Sequence, residues 1–148
     1  MHYNERILKM KKNTLKNTIK ENALSGGTFN YHESHIEGMA NYVRRTYLKH
    51  KSKEWIEFVQ TQKWKCFRPY SKETLAIFKK AYKVLRTAYI YAKCIDYLEA
   101  GDYGEEDFKE YLELKTGELN RELKKSIKAS PDQVKTWIED YDEDDYWY

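Results

Sequence analysis

The chain has 148 residues and a formal net charge of +3, and this length is that of one ordinary domain. A chain of this length buries enough surface on folding to need neither a structural metal nor a disulfide. Its apolar fraction of 41% includes 14 tyrosines and 4 tryptophans, whose rings supply buried surface in place of aliphatic side chains. No apolar run is long enough to span a bilayer, so we predict no membrane partner.

The scarcity of turn-forming residues favours helices over strands. With six glycines and two prolines, the chain lacks the closely spaced turns that strands need. We therefore predict an all-α fold, a single helical bundle of about five to six helices with a basic N-terminal helix and an acidic aromatic C-terminal tail. The predicted parts are residues 1–24 for the N-terminal helix or arm, 31–141 for the bundle and 142–148 for the tail.

The first two predicted helices cover residues 4–24 and 32–50, where apolar residues recur at steps of three and four. Their inward stripes consist of Leu8, Leu15 and Ile19 in the first helix and of Ile36, Met39, Val43 and Tyr47 in the second. A short third helix should begin at Ser52, whose hydroxyl can accept a hydrogen bond from the first turn. Pro69 disfavours helical geometry in the preceding residue, so a loop should follow this helix.

A fourth helix is predicted to start after Ser71 and to be the central one, because it carries two apolar stripes. The first stripe is Leu75, Phe78, Tyr82, Leu85, Tyr89 and Ala92, and the second is Ile77, Ala81, Val84, Ala88, Tyr91 and Ile95. A fifth helix should run from about Glu105 to Ala129. Ser130 and Pro131 favour the start of a sixth, since proline suits the first helical position.

Charge is unevenly distributed along the chain. Residues 1–69 hold 14 basic against 6 acidic residues, whereas residues 70–148 hold 13 against 18. Such an asymmetry is typical of contact with nucleic acid or with a charged protein partner.

The basic half supplies candidate contacts to phosphates and bases. The candidate nucleic-acid-binding residues are Lys9, Lys12, Lys16 and Lys20 in the first helix, Arg44, Arg45 and Lys49 at the end of the second, and Lys63, Trp64, Lys65 and Arg68 in the loop. Lysines and arginines bind phosphates by releasing condensed counterions, and aromatic rings among them can stack on unpaired bases. The alternative is that the lysines form solvated helix faces and that the aromatic side chains of the loop pack into the core of the bundle.

The C-terminal tail is strongly acidic. Six of the seven residues from Glu139 to Asp145 carry a carboxylate, and aromatic residues follow. The candidate partner-binding residues are Asp140, Asp142, Glu143, Asp144, Asp145, Trp147 and Tyr148. Carboxylates beside aromatic rings can imitate phosphates beside bases, so the tail can act as a nucleic-acid mimic. One alternative is that the tail only keeps the protein soluble. Another is that its aromatic residues fold back onto the bundle.

Motifs for known chemistries are missing from the sequence. His32 and His35 lack the spacing of a zinc protease and a third ligand nearby, so we predict no metal and interpret them as a polar helix face. Cys66 and Cys94 lack an identifiable base, so we interpret them as loop and core thiols. The phosphate-loop, dinucleotide and nucleophile-elbow motifs do not occur either. We therefore predict no catalytic residue and no cofactor, and hence no enzyme.

These observations predict a non-enzymatic binding protein that acts by charge and contacts nucleic acid, or a nucleoprotein complex, through its basic N-terminal half. A small helical chain rich in lysine and tyrosine is typical of accessory proteins of viruses and mobile elements. One alternative is an inhibitor of a nucleic-acid-binding enzyme, of the anti-CRISPR or other anti-defence kind, that uses the acidic tail as a phosphate mimic. A second is a filament or capsid subunit that coats nucleic acid. The lone cysteines favour a reducing, cytoplasmic location, in the host cell for a viral protein, and the oligomeric state, including a homo-oligomer, is left open.

Overall fold

The structure, a computed structural model, describes residues 27–62 and 66–142. This part of the chain is all-helical, with 74% of its residues in helices and none in strands. The helices are α1 (Glu33–Lys51), α2 (Lys53–Gln60), α3 (Lys72–Glu99), α4 (Glu105–Lys124) and α5 (Pro131–Glu139). The helix predicted for residues 1–24 lies outside the described residues.

Two predicted helix starts are confirmed by the hydrogen bonds that cap them. The Ser52 hydroxyl accepts a hydrogen bond from the backbone N–H of Trp55 at 3.3 Å and caps α2. The Ser130 hydroxyl accepts one from the backbone N–H of Gln133 at 3.2 Å, and the Gln133 side chain accepts one from the Ser130 backbone at 3.0 Å. These reciprocal bonds satisfy backbone donors that the first turn of α5 would otherwise leave free.

The chain divides into two compact units. The first unit contains residues up to Glu37 together with Arg86–Asn120, and the second contains Gly38–Leu85 together with the residues from Arg121 onward.

The interior of the first unit is rich in tyrosine. The ring centroids of Tyr97 and Tyr103 are 5.3 Å apart, and those of Tyr103 and Tyr111 are 5.7 Å apart. Cys94 is fully buried in the same unit, as predicted, and burial raises the pKa of its thiol to about 11. The thiol is therefore protonated at neutral pH, which makes it a poor nucleophile.

The second unit has an aromatic core in two clusters. One consists of Tyr47, Leu48, Leu75 and Ile127, with Phe78, Leu123, Ala129 and Trp137 packed against it. The other consists of Trp55, Val59 and Val134, with Phe58, Phe67, Ala129, Trp137, Ile138 and Tyr141 packed against it. Trp137 and Ala129 pack against both clusters, so the two clusters are continuous within this unit.

Five predicted inward positions are wrong, one on α1 and four on α3, because they lie on sides of these helices that do not face the core. On α1, Met39 is 51% exposed, while the neighbouring Ala40 is fully buried. On α3, the first stripe is buried or half-buried, but four members of the second are exposed. The exposed members are Ile77, Val84, Ala88 and Tyr91.

The helix predicted over Glu105–Ala129 ends earlier, at Lys124. The backbone N–H of Lys125 donates to the carbonyl of Glu122, three residues back, which closes the last turn. Ile127 is still buried, but from an irregular segment. The chain must be extended at Ser130 because a proline follows, so the helix cannot continue into α5.

Candidate nucleic-acid interface

Arg44, one of the predicted phosphate contacts, has an acidic partner within the second unit. Its Nε donates to Oε1 of Glu122 at 3.2 Å. The hydroxyl of Tyr82 donates to the same carboxylate at 3.2 Å. Arg44 therefore pairs with an acidic side chain of its own chain, which compensates part of its charge.

Lys49, another predicted contact, lies against tryptophan rings. Its Nζ is 4.4 Å from the centroid of the Trp55 ring and 5.5 Å from that of the Trp137 ring. Cation–π attraction stabilises such an arrangement, most strongly where water is excluded. Because Trp55 is only 2% exposed, the contact of Lys49 with its ring stabilises the packing of α1 against the aromatic core.

Arg45 differs from its neighbours because it is exposed beside an exposed ring. Its guanidinium carbon lies 5.8 Å from the centroid of the Tyr42 ring, and Tyr42 is 61% exposed. Residues three apart on a helix are neighbours on its surface. Tyr42 was not predicted from the sequence, although its spacing of three positions from Arg45 is visible there. The pair presents a cation and an aromatic face together to the solvent.

The loop before α3 carries a second exposed arginine and an exposed ring that stacks on another side chain. Arg68 is exposed, and the nearby Tyr70 ring stacks on the His50 ring with 4.0 Å between centroids and 5° between planes. The backbone N–H of Tyr70 donates to Nδ1 of His50 at 2.9 Å. Gln60 holds the same loop by donating to the carbonyl of Phe67 at 3.0 Å. His50 and Tyr70 were also missed, because twenty positions separate them in the sequence.

The other predicted site residues fall into two groups. Those outside the described residues are Lys9, Lys12, Lys16, Lys20, Lys63, Trp64, Lys65, Glu143, Asp144, Asp145, Trp147 and Tyr148. Asp140 and Asp142 are exposed at the end of α5. Between them, the Tyr141 ring lies 5.3 Å from that of Phe58 and 6.0 Å from that of Trp55, so the start of the tail is fixed to the core of the second unit.

The His50 contact predicts an acid-sensitive stability. Burial lowers the pKa of His50 from its ordinary 6.5, so the unfolded chain binds the proton more readily than the folded chain. Stability from this group is complete above pH 6.5 and is lost as the pH falls through the lowered value. In His50→Asn, the amide oxygen can replace Nδ1 as acceptor without titrating. We expect urea unfolding to show that wild type loses more stability than this variant as the pH falls.

The other three histidines, His2, His32 and His35, are present in both proteins, so their effect cancels in the comparison. Parallel losses of stability in wild type and His50→Asn would contradict this account.

The first unit places a buried ion pair where the sequence predicts a polar helix face. Glu33, next to His32, is only 2% exposed, and its Oε1 lies 3.2 Å from Nζ of Lys93. His32 and His35, the two residues predicted to form a polar helix face, are exposed, whereas Glu33 between them is buried. Within the described ranges, no group of three or more histidine, cysteine or acidic residues is arranged to hold a metal ion.

Comparisons of the chain with protein-family models, with curated proteins and with solved structures find no match. None of the helices that the structure describes is long and apolar enough to cross a membrane.

Proposed function

We propose that this protein is a non-enzymatic, charge-driven nucleic-acid-binding protein that uses exposed arginines beside exposed rings in its second unit. The observation that carries the proposal is the pair of Arg45 and Tyr42, in which a cation and a ring are both open to solvent. An aromatic ring that stacks on an unpaired base contributes about 1–3 kcal/mol, whatever the base. The adjacent guanidinium can bind the phosphate of the same nucleotide.

Further cations extend this interface in the proposal. Arg68 and Tyr70 are both exposed in the loop before α3. In the sequence, Lys63, Trp64 and Lys65 lie three to five positions before Arg68, so they are candidate contacts for the same strand. The lysines of residues 1–24 add the remaining charge of the basic half. An accessory protein of a virus or mobile element fits such a role.

The test compares single-residue variants of the full chain for binding to a labelled single-stranded oligonucleotide. We expect Tyr42→Ala to weaken binding by about 5- to 100-fold, which corresponds to one lost base stack. Arg45→Ala should also reduce the slope of log K against log salt by about 0.7, the value for one phosphate contact on a single strand. Lys53→Ala is the matched control, because Lys53 is an exposed cation that pairs with Glu57 on α2.

Wild-type affinity in both Tyr42→Ala and Arg45→Ala would refute this interface. Equal losses in Lys53→Ala would show that binding depends on overall charge and not on these two side chains.

One observation favours a second function, inhibition of a nucleic-acid-binding enzyme through the acidic tail. Tyr141 fixes the start of the tail to the core, so the exposed Asp140 and Asp142 are presented from a rigid base. Rigid presentation lowers the entropy cost of docking on a basic groove. Deletion of residues 143–148, which removes the other acidic and aromatic residues but keeps Asp140, Tyr141 and Asp142, should then weaken inhibition of such an enzyme. If the tail instead competes with phosphates, the same deletion should strengthen nucleic-acid binding.

A further inference from the structure

One side of α3 in the second unit is exposed although it carries large apolar side chains. Ile77 and Val84 are 66% and 58% exposed. Lys80 is exposed between them, at the spacing that places all three on one side of the helix. The opposite side carries Leu75, which is buried in the core. Ile77, Lys80 and Val84 form what is named here the outer face of α3.

The outer face combines apolar contact area with positive charge. Residues 72–85 hold four lysines against one glutamate. A complementary segment would carry carboxylates for Lys80 and large rings for Ile77 and Val84. Glu73 is exposed one turn before Ile77, so carboxylates are disfavoured at that end and should lie nearer Lys80.

The C-terminal sequence of this chain has the required composition. Residues 143–145 are acidic, and residues 146–148 are aromatic. We propose that residues 143–148 of a second copy of this chain dock on the outer face of α3.

Exposure and attachment favour a second copy over the same chain as the source of the segment. The described residues leave Ile77 and Val84 more than half exposed. Tyr141 packs in the same core cluster as Trp137, and Trp137 also packs against the cluster that contains Leu75. Tyr141, just before the segment, is therefore held in the core that Leu75 faces, and the outer face lies on the opposite side of α3.

A contact of this kind joins two different surfaces of two copies. Such head-to-tail contacts generate rings or open chains, and chains assembled along a nucleic acid would form a coating filament. The outer face is small beside the roughly 1,000 Å² of a stable interface, so the association should be weak and require high protein concentration. It should also weaken with salt because exposed charges take part.

The test is sedimentation velocity of the full chain over a concentration series, without nucleic acid, at low and at high salt. We expect the sedimentation coefficient of wild type to rise with concentration at low salt only. Lys80→Glu should abolish the rise, and so should the tail variant Asp144→Lys/Asp145→Lys. Lys135→Glu, at an exposed lysine on α5, is the matched control and should behave as wild type. Circular dichroism verifies that each variant is folded.

Mixing the two charge-reversed variants provides the decisive measurement. The tail of one variant then carries two lysines, and position 80 of the other variant carries a glutamate. Because these charges are opposite, association should return. A wild type that stays monomeric, a Lys80→Glu variant that associates as wild type does, or a mixture that stays monomeric would each overturn the proposal. Failure here leaves nucleic-acid binding untouched, since the assay contains no nucleic acid.

Discussion

Replacing Trp55 with alanine should lower the free energy of unfolding by about 3–5 kcal/mol, the range for a buried large aromatic residue. Trp55 is only 2% exposed. Its ring makes edge contacts with Trp137 and Tyr141, with centroids 6.2 Å and 6.0 Å apart, and the Lys49 ammonium lies over it. The substitution therefore leaves a cavity and also removes the ring that attracts a cation. Urea unfolding followed by circular dichroism measures the change.

Tyr42→Ala is the control for Trp55→Ala, because it also removes an aromatic ring but from an exposed position. Surface substitutions usually change the stability by less than about 0.5 kcal/mol. If Trp55→Ala costs no more than Tyr42→Ala, the aromatic core described for the second unit is incorrect.

Replacing Lys93 with methionine should destabilise the protein by about 3 kcal/mol, the lower end of the range for breaking a buried ion pair. The carboxylate of Glu33 is buried, its Oε1 pairs with Lys93, and its Oε2 has no hydrogen-bond partner. Without the cation, the buried negative charge is uncompensated. The lower end applies because the Lys93 side chain is 28% exposed. Thermal or urea unfolding measures the loss.

A double variant separates the ion pair from the loss of the lysine alone. In Lys93→Met/Glu33→Gln, position 33 no longer carries a buried charge, so part of the lost stability should return. A double variant that is less stable than Lys93→Met by the full cost of Glu33→Gln alone would contradict the predicted coupling.

The local features of the fold were predictable from sequence, because short-range chemistry determines them. Ser52 and Ser130 cap helices through hydrogen bonds within their own first turns, and few glycines and prolines were enough to predict helices. Which side of a helix faces the core depends on contacts distant in sequence. Met39 and Ile77 are apolar at helical spacing, yet both are exposed, because their helices pack through other sides.

The candidate interface was predictable only in part, for the same reason. The sequence identifies cations such as Arg44 and Arg45 but not their partners. The partner of Arg44 is Glu122, 78 positions away, whereas Arg45 remains exposed beside a ring three positions away. The stacking of Tyr70 on His50 likewise can be identified only from the three-dimensional structure. Long-range partners therefore decide which cations are available to a ligand.

We propose that this protein binds nucleic acid by charge and by base stacking. The most direct test is a fluorescence-anisotropy titration of the wild-type full chain against a labelled single-stranded oligonucleotide at increasing salt. The account predicts binding at low salt and a linear fall of log K with log salt, with a slope of about −0.7 per phosphate contact. No binding at about 50 mM salt, at the low end of the range over which such contacts weaken, would contradict it.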